Sequence, residues 1–156
     1  MNPRKFAMYG GLLMLLMGAL SLIPNLVGSI DGLPALNLDL SYGRFLNFFP
    51  MNIVNKIALI VFGISGIWAA NLPATSLPRS ILFSRVVFVV MGIAAILGAI
   101  PQTNTVYGYW PLFGGEIVGH GVFALLGAFY GFALTQKAQH EIKTQPILKA
   151  TFQPNR

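Results

Sequence analysis

Four apolar runs divide the chain. Phe6–Ile23 is 18 residues long without a charge, and Ile53–Ala70 holds one, Lys56. Ile81–Ile100 also holds one, Arg85, and Ile117–Leu134 holds none, with His120 inside it. Crossing about 30 Å of hydrocarbon at 1.5 Å per residue takes about 20 residues. Each run, with a turn added at the interface, therefore predicts a membrane-spanning helix. The glycines within them would weaken soluble helices but are ordinary in membrane helices. The first run, behind Arg4 and Lys5, also has the order of a secretory signal. It outruns an apolar signal core of about 7–15 residues, and the stretch from Leu20 to Pro24 offers no small-residue cleavage site. A retained helix is expected.

Composition sharpens this picture. Of 156 residues, 55% are hydrophobic and 9% charged, and the mean hydropathy is +0.69. Soluble domains carry about 25% charged residues, so an ordinary soluble enzyme is excluded. Disorder is excluded too, because it needs low hydrophobicity. The length suits one domain. The expected architecture is all-α: a four-span transmembrane helix bundle of two similar helical hairpins over residues 1–135, followed by a polar tail, 136–156. Cysteine is absent, which removes disulfides, thiolate metal sites and a Cys nucleophile.

The net charge of +6 reads as a topology signal. Arg4, Lys5, Arg79, Arg85, Lys137, Lys143, Lys149 and Arg156 fall on one side of the spans, and only Arg44 and Lys56 on the other. The excess marks the cytoplasmic face, so both termini are expected there, in a bacterial inner or thylakoid membrane. The tail has no dense basic run and alternates with Gln, Pro and Thr, so no nucleic-acid partner is expected. Contact with the lipid bilayer is.

The halves are alike. Slid by 64 positions, Asn52-Ile-Val-Asn-Lys56 lies over Glu116-Ile-Val-Gly-His120, and Gly63 lies over Gly127. Tyr42-Gly43 and Tyr107-Gly108 are one residue out of register, and Pro24 and Pro101 each precede an amide. Two helices per repeat return the chain to its starting side, so the repeats are expected to be parallel, related by an axis along the membrane normal. Four seams at alternating spacings of 4 and 3 follow. They are Ala7, Gly11, Met14, Gly18 and Ser21; Asn52, Lys56, Leu59, Gly63, Gly66 and Ala70; Arg85, Phe88, Gly92, Ala95 and Ala99; and Glu116, His120, Phe123, Gly127, Tyr130 and Leu134. Small residues let membrane helices approach closely.

The chemistry gathers at the outer helix ends. Asn52, Asn55, Lys56, Glu116 and His120 form a candidate polar cluster. An ionised group near hydrocarbon is costly unless paired, so a Lys56–Glu116 ion pair joining the repeats, with His120 as a hydrogen-bond partner, is expected. Two other readings use the same residues. Glu116 and His120 could relay protons, and His120 could ligate haem or chlorophyll through a ring nitrogen. A metal site is not expected, since one His and one Glu are too few ligands. Arg85 is expected to snorkel outward. The segment Asp31–Pro50 is expected to lie along the interface as a short amphipathic element.

The Tyr-Gly, Pro and ionisable-residue pattern, repeated over roughly 6–134, resembles a bacterial family of four-helix integral membrane domains of unknown function. In that family each repeat tends to place a His at the helix start. Here His120 matches, while Lys56 stands at the other position. The resemblance implies four spans and no activity. No nucleophile elbow, zinc-protease, Walker or Rossmann motif is present, so an enzyme is not expected. The expectation is a non-catalytic accessory or scaffold subunit, partnered with itself or with other membrane subunits, of a photosynthetic or respiratory complex for example. The alternative is a small transporter or channel for ions, protons or a small solute.

Overall fold

The protein is described by a computed structural model covering residues 2–72 and 75–135. The chain runs α1 (Pro3–Leu20), β1 (Val27–Gly28), β2 (Gly43–Phe45), β3 (Phe49–Met51), α2 (Ile53–Asn71), α3 (Ser76–Ala99) and α4 (Gly115–Ala128). A π-helical turn, Phe129–Ala133, continues α4. The tail 136–156, with its four cations, lies outside the described residues.

The helix boundaries follow from local chemistry. Pro3 opens α1, and the Asn2 side chain accepts a bond from the Lys5 amide. Both satisfy the orphan donors of a first turn. Asn52 caps α2 reciprocally with Asn55. Among the described residues, three segments are long and apolar enough to cross a membrane: Ile53–Asn71, Ser76–Ala99 and Gly115–Ala133. The first turn of α1 holds Arg4 and Lys5, so its apolar part begins only at Phe6.

α1 packs mainly on α2, and α3 mainly on α4. The close approaches need glycine. A Cβ on Gly63 would lie 2.5 Å from the backbone nitrogen of Leu15, and one on Gly127 would lie 2.7 Å from that of Phe88. At one end Phe6 stacks on Tyr130, ring centroids 5.0 Å apart, with Phe83 beside it. At the other end the two long connections fold over the helices.

The seams expected for α1, α2 and α4 face the interior. Ala7, Gly11, Met14, Gly18 and Ser21 are all buried. The α3 seam is misassigned by one residue. The buried line is Ser80, Ser84, Val87, Met91, Ala94 and Gly98, whereas Phe88 and Ala99 are exposed. This helix is apolar nearly all round, so composition marks no face. The packing partner chooses one.

Two expectations about irregular regions change. The chain is mostly helical rather than all-α, because β1, β2 and β3 form an antiparallel sheet in the order β1-β2-β3. The segment 31–50 holds β2 and the start of β3 rather than one short amphipathic element. Its strands are pinned by the pairs Val27–Phe45 and Gly43–Met51. Phe45 and Met51 are buried with Leu112 of the second connection, giving this end its own small apolar core.

Arg85 does not simply snorkel. Its Nε donates to the Gly131 carbonyl at 2.9 Å, and its guanidinium lies 4.9 Å from the Phe132 ring centroid. A π-turn disturbs the regular carbonyl pattern of a helix, and Arg85 binds within that turn.

Candidate functional site

The polar cluster separates into two groups with different roles. The first is a clamp. Asn52 Nδ2 donates to the Leu38 carbonyl at 2.9 Å and to the Tyr109 carbonyl at 2.8 Å. Asn55 Nδ2 donates to the Pro111 carbonyl at 3.0 Å. The start of α2 thereby holds one connection to the other. Asn37 reinforces the join through its backbone N–H to Gly108 and its side chain to Tyr107. Every one of these bonds satisfies a peptide carbonyl that would be costly to bury alone.

The expected Lys56–Glu116 ion pair does not form. The fully buried Lys56 donates through Nζ to Ser41, at 2.8 Å to its carbonyl and 2.7 Å to its hydroxyl. Glu116 instead meets an imidazole, with His120 Nε2 and Glu116 Oε2 3.5 Å apart. The chain fold explains the change. Ser41 sits in left-handed backbone at φ 57°, presenting carbonyl and hydroxyl together to the ammonium. The four-residue spacing within α4 meanwhile puts His120 on the same face as Glu116.

The second group is that Glu116–His120 pair. Glu116 lies in the first turn of α4, where the helix dipole favours negative charge. It is 5% exposed, and the His120 side chain is 12% exposed. The 3.5 Å separation is long for a hydrogen bond. Glu116 Oε1 and His120 Nδ1 are both buried without a hydrogen-bond partner. The pair borders a space of about 30 Å³ walled by Met17, Met51, Leu59, Met91 and Phe123. That is room for a water-sized guest. Ligand pockets run to about 300 Å³ and above, so the space fits no tetrapyrrole beside His120. Among the described residues, no group of three His, Cys, Asp or Glu side chains is placed to hold a metal ion.

Asn52, Asn55 and Lys56 stand at the start of α2 and Glu116 and His120 in the first turns of α4, but their partners differ from those expected. Ser41 gave no signal, because it lies 15 residues from Lys56 in an irregular segment. Ser80 and Ser84 carried one, as two small polar residues four apart inside an apolar run.

No curated protein and no solved structure matches the chain. The family model for a domain of unknown function, DUF4383, matches residues 4–133. That span takes in all four helices and the clamp between them, and the chain belongs to this family.

Proposed function

We propose that the protein is a four-span membrane subunit without catalysis of its own, serving as an accessory or scaffold in a larger membrane assembly. Its two hairpins are tandem copies of one unit, and both termini face the cytoplasm of a bacterial inner or thylakoid membrane. The observation that carries this reading is the closure of the interior. Gly63 and Gly127, the repeat-equivalent glycines, each meet a neighbouring backbone within van der Waals distance. A solute pathway needs polar groups or broken helices near the midplane, and the described interior there is Gly, Ala, Val, Met and Phe, with Ser84, whose hydroxyl donates to the Ser80 carbonyl of its own helix. The outward faces of α1 to α4 expose Leu, Ile, Val and Phe along their lengths. Such faces suit lipid or neighbouring subunits.

Native electrophoresis after gentle detergent extraction tests the proposal. Co-migration with a large complex is expected. A lone species near 17 kDa overturns it.

One observation favours a second reading. Glu116 Oε1 and His120 Nδ1 are orphaned inside the protein, and intramembrane carboxylate–imidazole pairs serve proton relays. Under that reading, proton flux into proteoliposomes is lost in Glu116→Gln. Flux that survives the substitution, or is absent from the wild type, returns the pair to a structural role.

A further inference from the structure

A second feature of the described surface lies away from the polar cluster. It is a lateral groove of about 470 Å³ between the second half of α2 and the first half of α3. Its floor is Ala69 and Phe83, both buried, and its rims include Val61 and Trp68 on one side and Leu82 and Val86 on the other, all exposed. The lining runs from Val61 to Ala69 on α2 and from Arg79 to Val86 on α3, about 10–12 Å of axial length at 1.5 Å per residue. That is shorter than the half-thickness of about 15 Å of a hydrocarbon core. The groove therefore runs from one interface toward the midplane and stops within one leaflet.

Its mouth is basic. The Arg79 guanidinium carbon lies 4.7 Å from the Trp68 ring centroid, so the cation rests over an indole of the kind that sits at headgroup level. No described carboxylate lies within 4 Å of Arg79. Arg4 and Lys5 begin α1 beside Ala70 and Asn71, which end α2 at the same end of the molecule. The described acids, Asp31, Asp39 and Glu116, belong to the opposite end. An occupant of this groove must therefore combine an apolar chain with an anionic head.

We propose that the groove binds one anionic glycerophospholipid. Its phosphate engages the Arg79 fork, and one acyl chain lies over Ala69 and Phe83 between Val61 and Val86. A planar guanidinium offers parallel donors that match phosphate oxygens. Contact with Trp68 holds that fork in place before the lipid arrives. The site is independent of the accessory role proposed above, because it needs only the α2–α3 pair and a bilayer.

The test uses the full chain with Trp110→Phe, leaving Trp68 as the single indole, in phosphatidylcholine nanodiscs doped with phosphatidylglycerol brominated on its acyl chains. Saturable quenching of Trp68 at low phosphatidylglycerol fraction is expected. Arg79→Gln should raise the half-saturating fraction about fivefold, the weight of one interfacial cation. Ser65→Phe, which fills the apolar groove and keeps Arg79, should abolish saturation. Inorganic phosphate at millimolar concentration should displace nothing. Equal quenching by brominated phosphatidylcholine, or indifference to both substitutions, shows bulk lipid contact and overturns the proposal. Displacement by phosphate reduces the site to an anion patch and overturns it as well. A doubled protein mass per disc, with Trp68 shielded from both lipids, assigns the groove to a second copy instead.

Discussion

Asn52 caps a helix and ties two loops with one side chain. Its oxygen accepts from the Val54 amide, while its two N–H groups reach Leu38 and Tyr109. Losing a cap weakens a helix by about 1 kcal/mol, and each buried acceptor left alone adds about 1–3 kcal/mol. Asn52→Ala should therefore destabilise by several kcal/mol in reversible unfolding from mixed micelles, with early proteolysis in the two connections. Lys56 and Glu116 make a different case. Because each has its own partner, Ser41 and His120, the effects of Lys56→Met and Glu116→Gln should add to within about 0.5 kcal/mol. A large favourable coupling in that double-mutant cycle would restore the cross-repeat ion pair. His120→Leu removes the imidazole neighbour of the buried Glu116 carboxyl group. It should destabilise by about 1–3 kcal/mol in reversible unfolding, the cost of a buried polar group left without a partner.

At the level of elements, α4 supplies an internal control for the role of small residues. Gly127 and Gly121 stand on the same helix. A Cβ at Gly127 would press on Ser84 and Phe88 backbone at 2.7 Å, whereas one at Gly121 meets nothing within 4 Å. Gly127→Ala should destabilise by about 1–3 kcal/mol, as overpacking does. Gly121→Ala should be neutral or stabilising by up to about 1 kcal/mol through helix propensity. The misassigned face of α3 belongs to this scale too. An amphipathic helix declares its buried side through polarity, but a helix bathed in lipid has apolar residues on both sides. The line through Ser80, Ser84 and Gly98 is distinguished by small size rather than by hydrophobicity. Small-residue spacing was therefore the better guide to this interface, and weighting the seam on Arg85 and Gly92 turned the helix by one position.

The whole molecule has two chemically distinct ends. Arg4, Lys5, Arg79 and Arg85 gather at the end where α1 begins, α2 finishes and α4 runs out through its π-turn. The sheet, the clamp and the described acids gather at the other. If the basic end is cytoplasmic, a reporter fused within 102–115 should be exported and one fused after Arg156 should not. Both reporters on one side of the membrane would defeat the proposed four-span topology. The sheet adds a second expectation at this scale. It covers its end of the molecule, where Phe45, Met51 and Leu112 are buried, so that end should resist protease even with the helices in detergent.

The four helices and the even charge asymmetry were determined by the sequence alone. Each helix is local: in α2, α3 and α4 the apolar run is long enough to cross a membrane, where a segment must satisfy its own backbone hydrogen bonds and only a helix does so. The gathering of Asn52, Lys56, Glu116 and His120 at one end was likewise legible, because positions along a helix fix depth. What the tertiary structure decided was pairing. Ser41 reaches Lys56 from a connection without periodicity, and Asn55 finds Pro111 across 56 residues of chain. The sheet forms between short segments whose apolar residues match no strand alternation long enough to read. Such contacts depend on how loops close over the helix ends. Loop closure is governed by which buried carbonyls find donors and which backbones approach at glycine, and neither is written in the order of residues within a single segment.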